Sequence, residues 1–220
     1  MFDNLFIQYA FDPATRTFYF ATVISIIISI TLHELAHGWA AIRLGDNTPI
    51  RLGRMTGDPI MHMGPFSIMA AFVLGIAWGQ MPVDHTRLKG KYAEAWVAFA
   101  GPATNLLLSV LALTGLGLWL RFGGNPTGQV QQNAVTFLDA FGSINAMLFV
   151  FNLFPIPPLD GSRILGNFNR RYLLFIHDPD RRGVMLLGFW LCFSLAGVVF
   201  QPVIGLARSY AIWVATGHWH

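Results

Sequence analysis

Five long apolar runs separated by polar connections dominate the chain. The first, Phe18 to Leu44, is nearly continuous and meets no proline until Pro49; its 27 residues would form a helix roughly 40 Å long, more than a bilayer's hydrocarbon core requires. A second run, Gly64 to Met81, is bounded by Pro65 and Pro82 and carries Gly75 and Gly79, so it either spans at the lower limit of length or re-enters. Tyr92 to Phe122 and Ala134 to Pro155 follow, and then Gly183 to Thr216, which Pro202 and Gly205 divide into a hairpin or leave as one kinked helix. The pattern predicts an all-α polytopic membrane protein. It has three core transmembrane helices, a re-entrant or short β segment between the first two, and one or two further C-terminal helices. We read residues 1–220 as a single membrane-embedded domain, with a core over 18–163, C-terminal helices over 183–216 and no appended soluble domain.

Composition agrees. With 54% hydrophobic and 11% charged residues and a mean hydropathy of +0.52, the chain is not an ordinary soluble globule. A net charge of +3 raises the question of nucleic acid, but the basic residues cluster between apolar runs, where they act as topology signals; no nucleic-acid partner is expected. Arg51, Arg54, Arg87, Lys89 and Lys91 place the connection from Asp46 to Lys91 in the cytoplasm, and the Gly123 to Asn133 loop, without Lys or Arg, outside. Arg163, Arg170, Arg171, Arg181 and Arg182 return the chain to the cytoplasm after the fourth run. This arithmetic closes only if Gly64 to Met81 re-enters. It leaves His37 about 10 Å below the cytoplasmic end of the first helix, in a multi-pass protein expected in the cell membrane. The single cysteine, Cys192, lies in an apolar run and reads as packing.

Within the first run stands His33-Glu34-Leu35-Ala36-His37. Histidines four apart share a helix face, one turn apart, which suits two ligands of one tetrahedral ion; Glu34, about 100° around the helix, reaches a water in an open coordination position. Burying all three in lipid is costly unless they neutralise one another around a function. A catalytic zinc site takes a third protein ligand, and the acidic residues near apolar runs are Glu94, Asp139 and Asp160. Asp160 is the best candidate. It ends Asn152-Leu153-Phe154-Pro155-Ile156-Pro157-Pro158-Leu159-Asp160-Gly161, where three prolines forbid a regular helix and let the chain project a carboxylate from the cytoplasmic end of the fourth run. Glu94 and Asp139 read instead as solvated interfacial residues near the ends of their runs.

HELAH in a membrane helix, then Ala100-Gly101-Pro102-Ala103-Thr104-Asn105, then the Asn-x-x-Pro-x-Pro-Pro-Leu-Asp-Gly run together resemble the site-2 protease family of intramembrane metalloproteases. The resemblance covers about Phe18 to Arg163. It implies one Zn2+ per chain bound by His33, His37 and Asp160, with Glu34 activating water and Asn152 positioning substrate or stabilising the tetrahedral intermediate. The implied activity is hydrolysis of a peptide bond within or near the transmembrane segment of a membrane-protein substrate, in regulated signalling. The stretch from Asp58 to Pro65 also resembles a His-x-Asp-Pro turn of that family, with Gly64 in place of the acid.

A helical substrate hides its carbonyls, so cleavage is expected to need local unwinding and strand pairing against an enzyme edge, supplied by Thr48 to Met55 or by the re-entrant segment. Thr31, Thr104, Asn105, Asn145 and Asn152 either line a water path or bond between helices, and Gly101-Pro102 lets the third helix pack closely on the first. Two other classes compete. A divalent-metal transporter needs polar groups at several depths, whereas this chain concentrates them at one; an inactive relative that binds membrane segments would lack Glu34 or a ligand.

Overall fold

A computed structural model describes residues 5–124 and 126–219. Nine α-helices are present among them: α1 (Arg16–Arg43), α2 (Thr48–Arg51), α3 (Pro59–Leu74), α4 (Ala93–Phe122), α5 (Gln129–Asn152), α6 (Asp160–Phe168), α7 (Arg170–His177), α8 (Arg182–Ser194) and α9 (Ala196–Thr216). No strand occurs among the described residues. Helices α1, α4, α5 and α9 are long and apolar enough to cross a membrane, which makes this a multi-pass membrane protein.

Helix α1 is the centre. Ser25, Ser29, His33 and His37 recur every four residues, so they form one slowly drifting stripe, and all four are buried. Helices α4 and α5 cover that stripe. They approach closely because Gly142 has no β-carbon, which would stand 2.6 Å from Leu113 Cγ, and Ser109 Oγ donates to the Gly142 carbonyl at 2.8 Å. Leu113 and Leu116 of α4 then pack against Ala207 and Ala211 of α9.

Asp139, outside the ligand group, has a partner of its own. It accepts a bidentate pair from Arg208 of α9, Nε to Oδ1 at 3.1 Å and Nη2 to Oδ2 at 2.7 Å, because α9 lies along α5. The fifth run is two helices, and the break falls at Leu195 rather than at Pro202 or Gly205. Pro202 removes one backbone donor inside α9, a loss the packing against α4 and α5 tolerates.

The Gly64 to Met81 run is neither one helix nor a β segment. Asp58 caps α3 by accepting from Ile60 N–H at 2.9 Å, Gly64 interrupts it at φ 70°, and Gly75 ends it in the left-handed conformation at φ 71°. Beyond Gly75 the chain runs without helix to Asp84, held by alternate N–H groups: Trp78 to Ser67 Oγ, Gln80 to the His62 carbonyl and Asp84 to Asp46 Oδ2. That alternation is the mark of an extended backbone. Thr48 to Met55 offers no such edge, since α2 occupies its first half with Pro49 at the start of the helix.

Two clasps fix the polar connections between the long helices. The fully buried Asp46 accepts from Thr48 N–H at 2.9 Å and Asp84 N–H at 2.8 Å, joining the ends of the α1–α4 connection. Asn167 of α6 accepts from Ala95 N–H and donates to the Lys91 carbonyl, both at 3.1 Å, which binds α6 to the start of α4.

Candidate metal centre

The helical repeat of α1 sets His33 and His37 side by side, with ring centroids 4.6 Å apart and Nε2 atoms 2.9 Å apart. Asp160, the first residue of α6, reaches them from the opposite side of the sequence: its Oδ2 lies 3.1 Å from His33 Nε2 and 3.3 Å from His37 Nε2. The start of α6 comes this close only because Gly161 follows; a β-carbon there would stand 2.2 Å from the Leu153 carbonyl oxygen. Both histidines and Glu34 are buried, and Asp160 is nearly so.

The protonation pattern of this cluster follows from its partners. His37 Nδ1 lies 2.7 Å from the Val97 carbonyl, which can only accept, so Nδ1 carries a hydrogen and the neutral ring presents a bare Nε2. His33 Nδ1 lies 2.6 Å from Asn105 Oδ1 and is the donor there too. Two bare imidazole nitrogens and a carboxylate oxygen without a hydrogen-bond partner therefore face one another. Three acceptors at such distances repel unless a proton or a cation lies among them, and a divalent cation satisfies all three at once. The three ligand atoms fall within 4.8 Å of one another, and two imidazoles with one carboxylate are a zinc donor set with a position left open. The floor is Gly101 of α4, where a β-carbon would stand 2.5 Å from both Nε2 atoms. The residues fit the ion.

Glu34 faces another surface. The extended segment crosses it at Gly79, whose β-carbon would stand 2.6 Å from Glu34 Oε1. Asn152 ends α5 half-buried, with its amide donating to the Leu148 carbonyl at 3.0 Å. His62 is buried and bonds through Nε2 to the Thr56 carbonyl at 2.7 Å, outside the ligand group. Thr31 and Thr104 bond to the carbonyls of Ile27 and Ala100 within their own helices, and Asn105 and Asn145 are fully buried in bonds between helices.

Sequence reasoning passed over Gly79 and left Asn105 open between a water path and a bond between helices. For Asn105 a signal existed, because it stands four residues after Gly101 and shares its face. For Gly79 none did, since it lies outside any helix and the residue it approaches is far away in the sequence, on α1.

The profile of peptidase family M50 matches residues 21–123 and 123–195. "Putative zinc metalloprotease YwhC" of Bacillus subtilis (strain 168) is 37% identical over 193 residues, covering 87% of this chain and 83% of the relative. "Putative zinc metalloprotease Rip2" of Mycobacterium tuberculosis (strain H37Rv) is 33% identical over 213 residues, covering 85% and 79%. No solved structure gives a significant match.

Proposed function

Because this chain belongs to peptidase family M50, the site-2 protease family, we propose that it is a zinc-dependent endopeptidase that cuts membrane proteins within or near a transmembrane segment, in regulated signalling. The observation that carries this reading is the convergence of His33, His37 and Asp160 inside a bundle of membrane-length helices, with Glu34 on the helix that supplies both histidines. Neither a transporter nor an inactive relative is favoured, since the polar cluster sits at one place and keeps both its ligands and its glutamate.

His33, His37 and Asp160 would hold one zinc ion, which when bound would supply the Lewis acidity that acidifies water and polarises a peptide carbonyl. Glu34 takes the proton of the attacking water and passes it to the leaving amine. Asn152 keeps one amide hydrogen beyond the bond to Leu148, and this donates to the oxyanion. With Trp78, Gln80 and Asp84 held from one side, the backbone groups of Gly79, Met81 and Val83 point to the other, where an unwound substrate pairs as a strand beside Glu34. The partners are thus a transmembrane protein and the lipid bilayer. The active site lies toward the cytoplasmic face of the cell membrane, as the arginine and lysine distribution supports.

The test is cleavage of a single-span reporter by the purified chain in detergent, with and without a zinc chelator. Cleavage that stops on chelation and returns with zinc supports the reading. Cleavage indifferent to zinc rejects it.

A further inference from the structure

We propose that Asn145 and Asn105 form a one-way hydrogen-bond relay that keeps the metal-facing nitrogen of His33 bare, making Asn145 a positioning residue on a helix that contributes no ligand. This rests on the zinc reading given above.

The relay starts at a group that cannot change its role. Asn145 places one side-chain atom 2.8 Å from the Phe141 carbonyl oxygen, which only accepts, so that atom is the amide nitrogen. The same nitrogen spends its other hydrogen on Ser29 Oγ, also at 2.8 Å. Asn145 Oδ1 is thereby turned toward Asn105, whose amide nitrogen donates to it at 2.9 Å. That in turn fixes Asn105 Oδ1 against His33 Nδ1 at 2.6 Å. An acceptor there demands Nδ1–H, and in a neutral imidazole this strips the hydrogen from Nε2.

The reverse polarity is costly at its far end. It would set the Asn145 carbonyl oxygen against that of Phe141 and turn the Asn105 amide hydrogens toward His33, forcing the hydrogen onto Nε2, where it blocks a cation. Ser29, Asn105 and Asn145 are all fully buried, so water has no access to relieve a reversed chain. His37 gets the same outcome from a single carbonyl, Val97. His33, facing α4 and α5 at a point where no such backbone acceptor is in contact with Nδ1, gets it through two amides and thus depends on α5.

Zinc affinity of the full chain in detergent, measured by competition with a chromogenic chelator, tests the relay. Asn145→Leu frees Asn105 to turn and is expected to weaken zinc by about 10- to 100-fold, the usual effect of losing a group that orients a ligand. Adding Asn105→Asp to that variant places acceptors on both oxygens facing His33, and is expected to restore affinity to near the wild-type value. Equal affinity in wild type and Asn145→Leu overturns the relay while leaving the zinc site intact, and so does a loss that Asn105→Asp fails to repair. A wild-type chain that binds no zinc overturns the metal reading, and the relay with it. If Asn145→Leu does not fold, 15N-histidine spectra of the zinc-loaded wild type decide. A slowly exchanging His33 Nδ1–H is expected, and coordination through Nδ1, or exchange as fast as an exposed imidazole, overturns the proposal.

Discussion

Gly79 lies so close to Glu34 that a β-carbon at position 79 would stand 2.6 Å from the carboxylate oxygen Oε1 and 2.7 Å from Glu34 Cγ. The segment proposed to receive substrate and the group proposed to move the proton are therefore set against each other directly. Gly79→Ala pushes the carboxylate aside without touching a metal ligand. A displacement of this size costs about 100-fold in turnover. Zinc content measured on the same preparation should remain at the wild-type level; parallel loss of zinc would show that Gly79 supports the ligands instead.

Glu34→Gln keeps the shape of the side chain and removes its basicity. Cleavage of the single-span reporter should fall by at least about 100-fold, the lower end of what general-base catalysis contributes, while zinc binding persists. Continued cleavage would reject Glu34 as the base.

Gly101→Ala gives the complementary defect. Its methyl group would stand 2.5 Å from both ligand nitrogens, so the imidazoles and the added carbon cannot all keep their places. The variant should fold and yet lose zinc during dialysis against a chelator concentration that leaves the wild type loaded.

The Arg208–Asp139 pair governs attachment of the last helix. Arg208→Ala leaves a carboxylate without its partner inside a membrane-length helix and should lower stability by about 2 kcal/mol, as for other charge-assisted bonds. Asp139→Asn on that background removes the stranded charge and should recover part of the loss. Thermal unfolding in detergent compares the three chains.

Asp46 makes a pH prediction. Burial alone would raise its carboxyl, but bonds from Thr48 and from the Asp84 N–H outweigh burial and hold it below the ordinary value of 3.8. A folded value below the unfolded one means that the stabilisation is fully present above about pH 4 and fades as pH falls further. Wild type should therefore exceed Asp46→Ala in melting temperature at neutral pH, with the gap narrowing below pH 4. A gap that persists unchanged in acid would assign the effect to packing.

What the sequence made legible was what short-range periodicity encodes. Histidines four apart lie on one face in any helix, and a proline-broken run ending in Asp-Gly projects a carboxylate, so His33, His37 and Asp160 could be paired before any coordinates. The partner of Asp139 was not legible, because Arg208 is 69 residues away on a helix whose direction the sequence does not specify. The break at Leu195 was missed for another reason. Pro202 is the stronger local signal, but packing of α9 on its neighbours overrides it. Asn105 and Asn145 carried an ambiguous message, since a buried amide lines water or joins helices according to what lies opposite.

The bare floor at Gly101 also supplies a criterion for sorting homologous genes. Absence of the glutamate or a ligand is the customary sign of a pseudoenzyme, yet a chain could retain every one of those and still be inert if any bulkier residue replaced this glycine. Such a protein would pass a motif search and fail at the bench.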